Sequence, residues 1–432
     1  MHPKLFPAFV TLCLLASLPT TRAFAADAPR PWPPDQFAPV TPERIATLPP
    51  AEHPAWMAYL KASQKLADNM PRPTEPDFSP LQPLTNPPAG GMHFKGLRLN
   101  APAAWFASDE ARSIANHVIA WQTGAGGWTK GNDYTIPRPA HAAGKREIWS
   151  VGTFDNDATT TELRFLAQVN TAAPDAANAL VWRKAFLRGL KYIFAAQYPN
   201  GGFPQIYPLG GGYHDNVTFN DGAITQLLEL LRDVSNGKPE FAFVPAKMRK
   251  EGGLRMQRGI VCILDAQIKT ADGRRTVWCQ QHDALTLKPA AARNFEPIAA
   301  CGAESAGLVR FLMSLPRPSP EVVAAVDAAV AWFRRVPVQN LTWSKSTNDS
   351  QVVPTPGTPP LWARYYELET DKPIFGDRDR TIHYDLSEIS AERRHGYTWF
   401  VRSPANVLEI YGEWRKKVSP TAGNSSEGAK PR

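Results

Sequence analysis

An internal repeat constrains this chain more than any other feature. Trp121-Gln122-Thr123-Gly124-Ala125-Gly126-Gly127-Trp128 returns seventy-five residues later as Ala196-Gln197-Tyr198-Pro199-Asn200-Gly201-Gly202-Phe203. In both, a helix-like segment ends in Gln, a turn follows, and Gly-Gly-aromatic closes it. A looser third copy runs from Ala266-Gln267 through Asp272-Gly273 to Trp278. A second element keeps step: Thr153-Phe154-Asp155-Asn156-Asp157-Ala158 aligns without gaps, at a shift of sixty-five, on Thr218-Phe219-Asn220-Asp221-Gly222-Ala223. Each precedes an amphipathic run, with Leu163, Leu166 and Val169 in one and Leu227, Leu230 and Leu231 in the other; Glu296 to Leu312 supplies a third. Helix, polar loop and helix at a period of roughly 70 residues predict stacked helical hairpins with their loops gathered at one end. Few segments alternate with period two. The expected fold is all-α: an α/α toroid, or incomplete α/α barrel, whose central groove is lined by loop residues.

The repeats occupy a body expected over 91–415. Ahead of it, 26–90 is a proline-rich arm, within which Trp56, Tyr59, Leu60 and Leu66 recur at helical spacing between Pro42 and Asp68. Residues 1–25 read as a secretory signal: Lys4, an apolar run from Phe9 to Leu18, and Ala23-Phe24-Ala25 before the cut. No later run is long enough to span a membrane, so the expectation is a secreted protein, periplasmic or extracellular. The small, polar stretch 416–432 reads as a disordered tail.

Losing the signal removes Lys4 and Arg22 and takes the net charge from +8 to +6. A basic exported protein favours an acidic partner, whether nucleic acid, anionic membrane or acidic polysaccharide, and charge alone does not choose among them. Cys13 leaves with the signal. The remaining Cys262, Cys279 and Cys301 make no disulfide framework and fit no zinc site. Stability must then come from a large core.

Three groups of residues carry chemistry. Asp155 and Asp157 flank one helix start and Asp221 the matching start of the next. Such residues cap helices, but two equivalent acidic loops on one end would also suit a hard cation such as calcium. Trp128-Thr129-Lys130 and Phe203-Pro204-Gln205 set a ring beside a polar side chain. Either the rings stack on sugars, with the lysine pairing a uronate carboxylate, or they close the turns from within the core. Arg293, Arg364 and Arg378 are carboxylate binders by type, for a substrate or for neighbouring acids.

These segments resemble the family 10 polysaccharide lyases, which are pectate lyases. The likeness runs through Gly126-Gly127-Trp128-Thr129-Lys130, Thr153 to Thr159, Asn200 to Gln205, Phe219-Asn220-Asp221, Trp278 to Asp283, the Arg293 segment and Trp362 to Trp399. It is collinear over nearly all of 95–405. The resemblance implies calcium-dependent β-elimination on polygalacturonate or low-ester pectin by a monomer. It implies Asp155 and Asp221 as calcium carboxylates, Arg293 as the catalytic base, Arg364 and Arg378 as binders of substrate carboxylates, and Lys130 and Asn156 as groove residues. No nucleic acid and no membrane span are expected. The chain departs from the family pattern at Thr129, Gly131 and Asp157, and at Ala291, where a lysine is usual and Lys288 is near. Two rivals share the toroid: a glycoside hydrolase using Asp155 with Asp221 or Glu296, and a triterpene cyclase, whose Gln-Trp motif Gln122 and Trp128 match. A non-catalytic acidic-polysaccharide binder is the third.

Overall fold

The computed structural model describes residues 28–32, 37–70, 94–138 and 151–419. The signal expected at 1–25 lies outside them, as does most of the tail expected at 416–432. Twelve α-helices occur among the described residues. In chain order they are α1 (Pro42–Ile45), α2 (His53–Asp68), α3 (Ala103–Phe106), α4 (Asp109–Trp121), α5 (Thr160–Ala172) and α6 (Ala179–Ala196). There follow α7 (Ala223–Ser235), α8 (Ala246–Ala266), α9 (Gly302–Met313), α10 (Pro320–Arg335), α11 (Ala391–Gly396) and α12 (Ser403–Val418). The last runs past residue 415. None of these helices is long and apolar enough to cross a membrane.

Consecutive helices pair as hairpins, α5 with α6, α7 with α8 and α9 with α10. Between hairpins, α5 packs on α7, α7 on α9 and α9 on α12, while α4 meets α6 and α8 meets α10. The pairing follows from the helix faces. In α7, Ile224, Leu227, Leu228 and Leu231 fall at i, i+3, i+4 and i+7, and all four are buried.

The repeat has a structural cause. Gln122 Nε2 donates to Gly126 O at 2.6 Å and to Ala185 O, on α6, at 2.9 Å. Gln197 does the same to Gly201 O and to Arg255 O on α8, both at 2.9 Å. Gln267 does so to Thr276 O and to Ala325 O on α10, again at 2.9 Å. Each buried amide thus closes its own loop and ties it to a helix of the following hairpin. The aromatic residue ending each loop, Trp128, Phe203 or Trp278, is fully buried. Trp128 Nε1 donates to Val118 O at 2.7 Å and Trp278 Nε1 to Ile263 O at 2.6 Å. The rings belong to the core, which overturns the reading of them as sugar-stacking surfaces.

The described part of the N-terminal arm packs on this body. Trp56, Tyr59 and Leu60 of α2 are buried, Tyr59 donates to Ala196 O at 3.0 Å, and Arg44 pairs with Asp283 at 2.7 Å.

Strands also occur. One sheet orders Arg30–Pro31, Thr381–His383, Pro373–Gly376, Tyr365–Tyr366 and Ala300–Cys301 side by side, all antiparallel. A second joins Val217–Thr218, Gln281–His282 and Pro289–Ala290. Segments of two to five residues are too short to show an alternation. They also correct one helix: α9 begins at Gly302, not Glu296, because Ala300–Cys301 is taken up in pairing with Tyr365–Tyr366. Cys262, Cys279 and Cys301 are buried free thiols.

Candidate active site

The two acidic loops are 3₁₀ turns, Asp155–Asp157 and Asn220–Gly222, and they touch one another. Each places two residues in the left-handed region, Asn156 at φ 50° and Asp157 at φ 62° in one, Asp221 at φ 49° and Gly222 at φ 74° in the other. Short polar side chains tolerate that conformation best. Helices α5 and α7 are N-capped by Thr159 and Gly222, without side-chain capping bonds. Capping therefore does not account for Asp155 or Asp221.

Both loops open onto a cavity of about 180 Å³. Its lining includes Lys130, Asp155, Asn156, Asp221 and Arg293, five of the seven residues singled out from sequence. Arg364 stands against it: nine-tenths buried, it donates to Asn220 Oδ1 at 3.2 Å, lies 3.8 Å from Asp221 Oδ1 and pairs with Glu304 of α9. Arg378 is not in the lining. It is exposed, holds Glu392 through two hydrogen bonds of 2.9 and 3.0 Å, and lies over the Phe295 ring, as Arg293 does. Lys288 is also outside the lining, on an exposed turn.

The charges are arranged in pairs. Lys130 Nζ donates to the buried Asp155 carboxylate. Arg293 holds Glu296 through Nη2 at 2.5 Å and its backbone N at 3.0 Å. Tyr397 donates to the same carboxylate at 2.7 Å, and its ring lies under both Arg293 and Arg364. Burial alone would raise Glu296, but the hydrogen bond and charge of Arg293 outweigh it and hold the acid below its ordinary value. The same pairing holds Arg293 above its ordinary value, against the effect of burial. His214, stacked on Tyr213, is driven down to about 4 by burial and is neutral at physiological pH.

In the sequence Gln205 stood out only as the polar neighbour of Phe203 and Glu296 only under the hydrolase reading, and Gln280 was missed; all three line the cavity. A signal for two of them was present: Lys130, Gln205 and Gln280 each sit two residues after the buried ring of their repeat, and all three reach the cavity.

No group of three or more His, Cys, Asp and Glu side chains able to hold a metal occurs among the described residues. The donors present are the carboxylates of Asp155 and Asp221, that of Glu296 already held by Arg293, and the amide oxygens of neighbouring Asn and Gln, a hard-oxygen set that fits calcium rather than a soft metal.

Comparison with known proteins adds an independent line. A family model described as pectic acid lyase matches residues 122–408. Among solved structures, the family 10 polysaccharide lyase from Cellvibrio cellulosa is similar at 34% identity and a TM-score of 0.64, covering 73% of this chain and 96% of that one. An aspartate-to-alanine mutant of the Cellvibrio cellulosa family 10 lyase, in complex with trigalacturonic acid, is similar at 34% identity and a TM-score of 0.63. The match covers 74% of this chain and 98% of that one. No curated protein matches the chain significantly.

Proposed function

The chain belongs to the pectic acid lyase family, family 10 of the polysaccharide lyases, and from that premise we propose that it cleaves (1→4)-α-D-galacturonan by calcium-assisted β-elimination, leaving 4,5-unsaturated oligogalacturonides. The observation that carries this reading is the convergence of Lys130, Asp155, Asp221 and Arg293 on one cavity, with Arg364 beside it. The trigalacturonic acid bound by the related mutant supports the choice of substrate. The rows of paired helices support an incomplete α/α toroid around the cavity. The reading includes export through residues 1–25 and action as a monomer.

Asp155 and Asp221 are the residues that would hold calcium, which when bound supplies positive charge to the substrate carboxylate. Lys130, Arg364 and Arg378 add cationic donors for the same groups, with Asn156 as a neutral contact. Drawing charge from the carboxylate acidifies the proton on C5 and stabilises the enolate-like transition state. Arg293 takes that proton, the C4–O4 bond breaks, its electrons leave on the oxygen, and a C4–C5 double bond forms. A guanidinium must lose a proton before it can accept one, so activity requires alkaline pH.

The hydrolase reading needs a carboxylic acid kept protonated near neutrality. Glu296 is shifted the opposite way by Arg293, which weighs against it.

The test is ultraviolet absorbance with polygalacturonate at alkaline pH, with and without a calcium chelator. A rise that the chelator stops is the expected result. New reducing ends without absorbance would make the protein a hydrolase, and neither signal would leave a binding protein.

A further inference from the structure

We propose that Gln205 is a substrate-contact residue whose side-chain amide receives a hydroxyl of the bound uronate ring; this rests on the functional reading above. Its backbone is fixed on both sides. Gln205 N donates to His214 O at 2.9 Å, and its carbonyl accepts from Phe154 N at 3.0 Å and Thr153 Oγ1 at 2.8 Å. The residue lines the cavity, yet it is only 4% exposed.

The three repeats make the anomaly visible. At the same place, Lys130 meets Asp155, and Gln280 Oε1 accepts the Tyr365 hydroxyl. Gln205 Oε1 is enclosed and receives no hydrogen bond among the described residues. An acceptor left so is unfavourable, and native proteins rarely retain one without a reason. Beside the cavity, a donor brought by the ligand would supply the missing partner. A uronate ring carries a carboxylate, which only accepts and is matched by the lysine and arginines, and hydroxyls, which donate. The neutral amide is suited to the hydroxyls. A site built to hydrogen-bond a hydroxyl discriminates strongly against ligands lacking it, so Gln205 would read the uncharged part of the sugar.

The experiment compares full-length wild type with Gln205→Met, which fills similar space without polar atoms. Three quantities are read: kcat/KM on polygalacturonate at saturating calcium, the calcium concentration for half activity, and the unfolding temperature without ligand. The expected pattern is a fall in kcat/KM of about tenfold to a hundredfold, an unmoved calcium midpoint, and an unfolding temperature equal to or above wild type. That last result is one a structural role would not give. An unchanged kcat/KM overturns the proposal; so does a raised calcium midpoint, which would make Gln205 a cation ligand, or a lowered unfolding temperature that accounts for the loss. If wild type itself forms no unsaturated product, the functional reading has failed; an active wild type with an indistinguishable variant refutes Gln205 alone.

Discussion

Two effects oppose each other at Arg293, where burial disfavours the guanidinium charge while Glu296 stabilises it, and the acid prevails. The consequence is a pH prediction with a definite sign. Glu296→Gln keeps the shape and removes the negative charge, so Arg293 loses its proton more readily. The rising limb of the kcat profile, where Arg293 gives up its proton, should then move to lower pH. A limb that stays in place in Glu296→Gln would remove Arg293 as the proton acceptor. Arg293→Ala should lower kcat by at least about 10²–10⁴, the usual worth of a positioned base, while calorimetry still detects calcium binding. Arg378 behaves differently. Its pair with Glu392 is solvent-exposed, and such pairs contribute little because water screens them, so Glu392 is readily exchanged for a substrate carboxylate. Arg378→Ala should raise KM several-fold and leave kcat near wild type, the pattern of a group that binds ground and transition states equally.

The recurring element is the loop clamped by a buried glutamine, and its energetics can be measured. Gln197→Ala removes the two hydrogen bonds that the amide donates, and a long one that it accepts from Arg255 Nη1, and leaves Gly201 O and Arg255 O buried without that donor. The expected loss is about 2–4 kcal/mol, read as a lower urea midpoint; an unmoved midpoint would mean the clamp is not what fixes the loop. This element was legible in the sequence because its geometry admits few residues. Gly201 has φ +91°, and a Cβ there would lie 2.2 Å from Arg258 O, so the repeat has to spell out its glycines. The helices α5 and α7 were legible through their leucines, and the cavity's acids through the equivalence of their loops. Other features had no local signal. The start of α9 depends on a strand more than sixty residues away, and the core position of Trp128 depends on which side of the loop the next helix lies. The pairing of Arg293 with Glu296 is close in sequence, but what makes it consequential is the burial of Glu296 and the Tyr397 hydroxyl that joins it from the far end of the chain.

Stability of the whole molecule is linked to pH through carboxyl groups enclosed by the helices. Glu162 of α5 is fully buried and accepts the Tyr134 hydroxyl at 2.6 Å, while its Oε2 has no hydrogen-bond partner among the described residues. Burial raises its pKa to about 7 from an ordinary 4.5. Asp215 is raised by burial in the same direction, to about 6 from 3.8. For a group raised on folding, the stabilising contribution is complete below the unfolded value and is lost as pH climbs through the folded one. For Glu162 the loss falls between pH 4.5 and about 7 and amounts to about 3 kcal/mol. On the proposed mechanism, whose chemistry needs alkaline pH, the protein thus carries a folding penalty in that same range, which the rest of the core must offset. Glu162→Gln can still accept from Tyr134 but never ionises. Its unfolding temperature should exceed wild type above pH ~8 and converge with it, or fall below, under pH ~4. A constant difference across the range would show that Glu162 does not titrate with folding; a growing difference toward high pH, with activity retained, would locate the alkaline penalty in this one buried acid and separate it from the chemistry at Arg293.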